Sequence, residues 1–168
     1  QIAGGGIQLQ GEPMVSKRMS REAGHRRKFL SIVDGTPESE WAIAYAGRRA
    51  KTTGGILVLL FVIDSKDFQQ WLGVEQIMRE EARTAATGTL DAQATKMREA
   101  IGIEPELVIR EGVPLEEIHK LIEEDQDIAN LVLAAGNTKE GPGPLVSSVA
   151  GKGAAFPRAQ YGFADCCG

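Results

Sequence analysis

The sequence is short of the residue types that several classes of protein require. Only two of its 168 residues are cysteines, the adjacent Cys166 and Cys167, and neither a second pair nor a nearby histidine completes a metal site. No apolar run approaches the roughly 20 residues needed to cross a bilayer, and the first residues lack the basic and apolar regions of a signal peptide. We therefore expect a soluble, cytoplasmic protein without a structural disulfide or metal site.

Net positive charge is also lacking, because the formal net charge at pH 7 is -4. Proteins that bind nucleic acid without sequence preference need an electropositive field, so we predict no nucleic-acid partner. One basic run, from Lys17 to Lys28, has no interleaved aromatic residues to stack on bases. We interpret residues 1–26 as a flexible, solvated basic arm.

What the sequence does contain is an alternation of apolar strands and helices. Four short apolar segments begin at Lys28, Ile56, Pro105 and Ala129, and helical patterns separate them. The segment "ILVLLFVID" is apolar on both faces, as a parallel strand covered by helices must be. This order predicts an α/β fold in which helices cover both faces of a parallel sheet.

The helix after the first strand has both a start signal and a stop signal. Thr36 can accept hydrogen bonds from free amides of the first turn, and Pro37 suits the first helical position. Gly54 and Gly55 supply the stop. The long helix that follows the second strand should end at Gly102.

Ligand sites in open parallel sheets lie beyond the carboxyl ends of the strands. Three segments qualify here: Asp34 to Thr36, Val62 to Asp64, and the loop that begins at Gly136. The loop contains glycines and leads to a helix start, which are features of a phosphate site. It matches neither a P-loop nor a dinucleotide fingerprint, because Val146 stands where each motif needs a glycine.

Signals for catalysis are weak. The two histidines, His25 and His119, have no orienting partner evident in the sequence, and no Gly-x-Ser-x-Gly elbow occurs. We predict no catalytic residue, and an enzyme is the least supported class of function.

Four segments in register resemble the universal stress protein family between about Arg27 and Pro157. They are "KFLSIVDGTPESEWAIAYA", "GGILVLLFVID", "IREGVPLEEIHKLIEEDQDIANLVLAAG" and "LVSSVAGKGAAFP". The resemblance implies a Rossmann-like three-layer sandwich with a mostly parallel sheet of four to five strands. It also implies a regulatory stress-response protein, often a homodimer joined through its last strand, and some members of the family bind ATP.

In the members that bind ATP, an Asp after the first strand and a Val in the second hold adenine and ribose, and glycines and a hydroxyl after the fourth strand hold the phosphates, with Mg. By resemblance these cofactor-binding roles fall on Asp34, Val62, Gly136, Gly141, Ser147 and Ser148.

The phosphate loop departs from the family pattern. Lys139 and Ser147 replace glycines, and Pro142 and Pro144 remove amide donors. Two functions therefore stay open: an adenine-nucleotide-binding regulatory protein, or a protein that acts without nucleotide through dimerisation or partner docking.

The end of the chain departs as well. Residues 158–168 are polar and interrupted by glycine, and we expect an atypical tail after the domain at 27–157 rather than an ordinary fifth strand. Without that strand, the usual dimer contact would be in question.

Overall fold

The computed structural model describes residues 23–69, 73–134 and 160–164, together with Ser147. Five parallel strands form one sheet in the order β3-β2-β1-β4-β5. A short 3-10 turn, Ser65–Phe68, follows the second strand. The strands are β1 Lys28–Ile32, β2 Ile56–Asp64, β3 Glu106–Gly112, β4 Ile128–Ala134 and β5 Gln160–Ala164, and the described helices are α1 Pro37–Thr53, α2 Glu75–Ala100 and α3 Pro114–Glu124.

Helices cover both faces of the sheet, which confirms the predicted α/β sandwich. On one face, Leu30, Ile32 and Leu60 pack against Ile118 and Ile122 of α3. On the other face, Phe29, Val33 and Leu59 pack against α1 and α2. The strand residues alternate between these two clusters because successive side chains of a strand point to opposite faces.

The ends of α1 lie where the sequence signals place them. The Thr36 side chain accepts a hydrogen bond from the Ser39 amide, and Gly54 caps the carboxyl end with a φ of 66°. Gly54 can adopt this left-handed conformation at little cost because it has no Cβ.

The fifth strand corrects our expectation for the end of the chain. Gln160 to Ala164 pair in parallel with Asn130 to Ala134, so a regular strand lies inside the segment that we expected to be an atypical tail. Tyr161 and Phe163 alternate along it, but the polar and glycine residues around them hide the strand pattern. The free edge of β4 supplies the hydrogen-bond partners that stabilise such a strand regardless of its weak propensity.

Two side chains at the start of the domain attach to the amino-terminal edge of the sheet. Arg26 donates from Nε and Nη2 to the carbonyl oxygens of Gly54 and Gly55, each at 3.0 Å. His25 Nδ1 lies 2.8 Å from Asp127 Oδ1, a partner 102 residues away that the sequence did not reveal. Residues 25 and 26 therefore contact the domain, although we assigned them to the arm. The domain boundaries themselves stay predictions.

Lys28 joins β1 to the segments on either side of it. Its Nζ lies 2.8 Å from Asp125 Oδ2 and 3.0 Å from Glu106 Oε2. Burial lowers the pKa of Lys28, but the hydrogen bonds to Asp125 and Glu106 outweigh that effect, so its pKa lies above the ordinary value. The ammonium group therefore stays charged where these three segments meet.

No helix in the parts of the chain that the structure describes is both long enough and apolar enough to span a membrane.

Replacing Gly88 with alanine should raise the free energy of unfolding. Gly88 is an exposed residue inside α2, and a Cβ added there would meet no atom within 4 Å. Alanine is more favourable than glycine in a helix interior by about 1 kcal/mol. Urea unfolding followed by circular dichroism measures the difference. Gly54→Ala is the matched control and should lower stability by about 1 kcal/mol, since alanine is strained at a positive φ. A Gly88→Ala variant no more stable than the parent would contradict this account of α2.

Candidate functional site

The order of the strands reverses between β1 and β4. From β1 the chain passes to β2 and then β3 on one side, whereas β4 and β5 lie on the other side. Ligands of open α/β sheets bind at such a reversal, outside the carboxyl ends of the strands. Asp34 follows β1 at this point, and the chain leaves β4 beside it, because the pairing of Ser31 with Val132 places Ala134 level with Val33.

Asp34 is an exposed carboxylate held by the next turn of the chain. Its Oδ1 accepts hydrogen bonds from the Thr36 amide at 2.9 Å and from the Thr36 hydroxyl at 2.6 Å. The same hydroxyl accepts from the Ser39 amide at 3.2 Å. Among the described residues none donates to Oδ2 of Asp34, so this oxygen is available to a ligand.

Val62 lies at the same level on the neighbouring strand. Ile32 pairs with Leu60, so Asp34 and Val62 each lie two residues beyond a paired position. Adjacent strands are about 4.8 Å apart, which places the two residues close together at the rim. Val62 is half-buried and packs against the cluster under α3. The structure therefore brings together a polar acceptor and an apolar surface.

The phosphate part of the predicted site is largely outside the described residues. Gly136, Gly141 and Ser148 all fall there, and their assignment stays a prediction. Ser147 is described as an exposed residue in helical conformation. Its exposure leaves the side chain accessible to a ligand, and its role also stays a prediction.

Two features of this rim were not evident from the sequence. The first is the double role of the Thr36 hydroxyl, which caps α1 and also donates to Asp34. The second is Arg79, whose Nη2 lies 2.7 Å from Glu75 and whose Nε lies 2.9 Å from Glu111 near the end of β3. The Nε–H is not aligned with a hydrogen-bond acceptor, so its contact with Glu111 is an ion pair only. In the sequence, the spacing of four residues between Glu75 and Arg79 could have indicated their ion pair.

The described residues contain no group of three or more His, Cys, Asp or Glu side chains that could hold a metal ion.

Changing Thr36 to valine should lower the free energy of unfolding by about 1 kcal/mol, because valine fills the same space but cannot cap the helix. Thr36→Ser keeps the hydroxyl and should retain most of the stability. Thr52→Val is the control within the same helix, since Thr52 donates only to the Arg48 carbonyl. Thermal unfolding of the three variants gives the comparison. An equal loss for Thr36→Val and Thr52→Val would show that the cap contributes nothing.

The comparison with protein families identifies the class of protein. Residues 25–152 match the model of the Universal stress protein family. This match covers most of the chain, and the chain belongs to the universal stress protein family. The resemblance of its motifs to that family is thereby confirmed.

Solved structures share the fold. A universal stress protein from Lactobacillus plantarum is 18% identical, with a TM-score of 0.68 over 83% of this chain and 97% of that chain. A universal stress protein in complex with cAMP is 15% identical, with a TM-score of 0.60 over 84% and 98%. The universal stress protein from Archaeoglobus fulgidus in complex with dAMP is 15% identical, with a TM-score of 0.54 over 83% and 97%. No protein with a curated function matches the sequence significantly.

Proposed function

We propose that this protein binds an adenine nucleotide, ATP, at the carboxyl ends of β1 and β2, and acts as a regulatory stress-response protein. The observation that carries the proposal is the position of Asp34 and Val62, side by side at the point where the strand order reverses. Two structures with the same fold contain cAMP and dAMP, which supports an adenine nucleotide as the ligand class.

Each residue has a distinct task in this proposal. Asp34 accepts from a ribose hydroxyl or a base amine through Oδ2, while Thr36 holds Oδ1. Val62 supplies an apolar contact for the adenine ring. Gly136, Gly141, Ser147 and Ser148 hold the phosphates, which in turn bind Mg. None of these groups is assigned a catalytic step, so binding itself is the function, and the proposed location is the cytoplasm.

Isothermal titration of the full chain with ATP and with adenosine tests the proposal. We expect both to bind, because Asp34 and Val62 recognise the nucleoside. ATP should bind more tightly if the loop after β4 accepts phosphates, and it should raise the melting temperature. No heat and no thermal shift with either compound at millimolar concentration would refute nucleotide binding. Adenosine binding as tightly as ATP would refute only the phosphate assignments.

A second candidate function is association of two copies through β5. Both β3 and β5 are edge strands of the described sheet, but β3 carries Glu106, Arg110 and Glu111, whereas Gln160–Ala164 has no charged residue. Charges on an edge strand oppose pairing with another chain, and their absence permits it. The composition of the two edges therefore favours β5 as the contact of a homodimer.

Sedimentation of the Gly162→Lys variant tests this contact. A lysine on β5 should shift the protein toward the monomer, while Leu107→Lys on β3 should leave its association unchanged, because Leu107 lies on the opposite edge. A dimer that survives Gly162→Lys, or a monomeric parent protein, would exclude association through β5.

A further inference from the structure

The outer face of α1 presents two large aromatic side chains to solvent. Trp41 is 55% exposed and Tyr45 is 39% exposed. Two other faces of α1 contact the rest of the domain. Ile43 and Ala46 pack on the sheet, and Glu40 pairs with Lys96 of α2 at 2.7 Å. Exposed aromatic residues grouped on one helix face are typical of a protein contact surface.

These aromatics belong to a seam of residues spaced alternately by three and four along α1. Such spacing places all members on one stripe of the helix, as at the contact positions of a coiled coil. Within the described parts of the chain, neither Glu38 nor Arg48 makes an ion pair. The seam, which we call the outer seam, consists of Glu38, Trp41, Tyr45, Arg48 and Thr52.

We propose that the outer seam binds the outer seam of a second copy of this chain, with the two α1 helices antiparallel. The seam is acidic at its start, aromatic at its centre and basic toward its end, so it is complementary to itself when reversed. Turning the second helix around places Trp41 opposite Tyr45 of the other copy and Glu38 opposite Arg48 of the other copy. A two-fold axis then repeats each contact twice.

The size of the seam predicts a weak contact. The 17 residues of α1 extend about 25 Å. A single helix pair buries less area than a standard stable interface, so we expect a reversible association. Trp, Tyr and Arg are the residue types enriched where binding energy concentrates, and the seam contains one of each. Although α1 lies against β5, the outer seam and the edge of β5 consist of different residues, so each contact can be changed by its own substitutions.

Sedimentation velocity of the full chain over a concentration series tests the outer seam, with Gly162→Lys present throughout to suppress contact through β5. Trp41→Ala should weaken association by at least about tenfold, because it removes the largest buried anchor. Glu38→Arg and Arg48→Glu should each weaken it by about tenfold, since each creates two pairs of like charges across the axis. The double variant Glu38→Arg with Arg48→Glu should restore association to the parent level.

Restoration separates the proposed contact from loss of folding, because the double variant carries both single changes. A double variant as weak as the single variants would overturn the antiparallel arrangement. Variants that all sediment like the parent, or a parent that stays monomeric at every concentration, would exclude the outer seam as a contact between copies.

Discussion

Replacing Asp34 with alanine should reduce the affinity for ATP by about 10- to 100-fold, the effect of losing a hydrogen bond to a charged group. The change removes the carboxylate whose Oδ2 faces no donor among the described residues. Isothermal titration of the parent and the variant under the same conditions measures the ratio of dissociation constants.

Asp64 provides a matched control for this change. It is the last residue of β2, and its Oδ1 accepts from the Lys66 amide at 2.9 Å, as Oδ1 of Asp34 does from the Thr36 amide at the same distance. It lies one strand further from the reversal of strand order. Asp64→Ala should therefore change the affinity for ATP by no more than about threefold. Equal losses of ATP affinity in the two variants would mean that the carboxylates affect binding through the net charge or the stability of the protein. Direct contact between Asp34 and the nucleotide would then be excluded.

Replacing Ile118 with alanine should lower the free energy of unfolding by about 2–5 kcal/mol. Ile118 has no exposed surface and joins α3 to Leu30 and Leu60 of the sheet. Truncation would remove its apolar contacts and leave a cavity in a closely packed layer. Chemical unfolding of parent and variant gives the difference directly.

Ile77 allows the same substitution to be made at an exposed helix position. Its side chain is 59% exposed near the start of α2, and Ile77→Ala should change stability by no more than about 0.5 kcal/mol. A loss for Ile118→Ala as small as that for Ile77→Ala would show that α3 does not form part of the core as described.

Much of the fold follows from local patterns in the sequence. The run "ILVLLFVID" coincides with β2, Ile56–Asp64, because a strand buried on both faces needs an unbroken apolar segment. Thr36 and Gly54 mark the ends of α1 because capping depends on residues close in sequence. The position of β5 was not predicted, because this strand is stabilised by pairing with β4 and its own residues show only a weak strand pattern.

The candidate site could be predicted only in part, for a similar reason. Asp34 and Val62 follow from the rule that strand ends meet at one rim, together with the resemblance to the family. The contact between the Thr36 hydroxyl and Asp34 depends on the conformation of the turn, which residue types alone do not determine. His25 and Asp127 are 102 residues apart in the sequence. Their contact could be predicted only once the order of the strands in the sheet was known.

Mapping of ATP binding by amide chemical shifts tests the central claim most directly. In a titration of the isotope-labelled full chain, we predict that the largest shifts occur at residues 34–36 and at Val62, near the carboxyl ends of β1 and β2. Shifts confined to the amino-terminal edge of the sheet or to the outer seam of α1, or no shifts at saturating ATP, would contradict a nucleotide site at the reversal of the strand order.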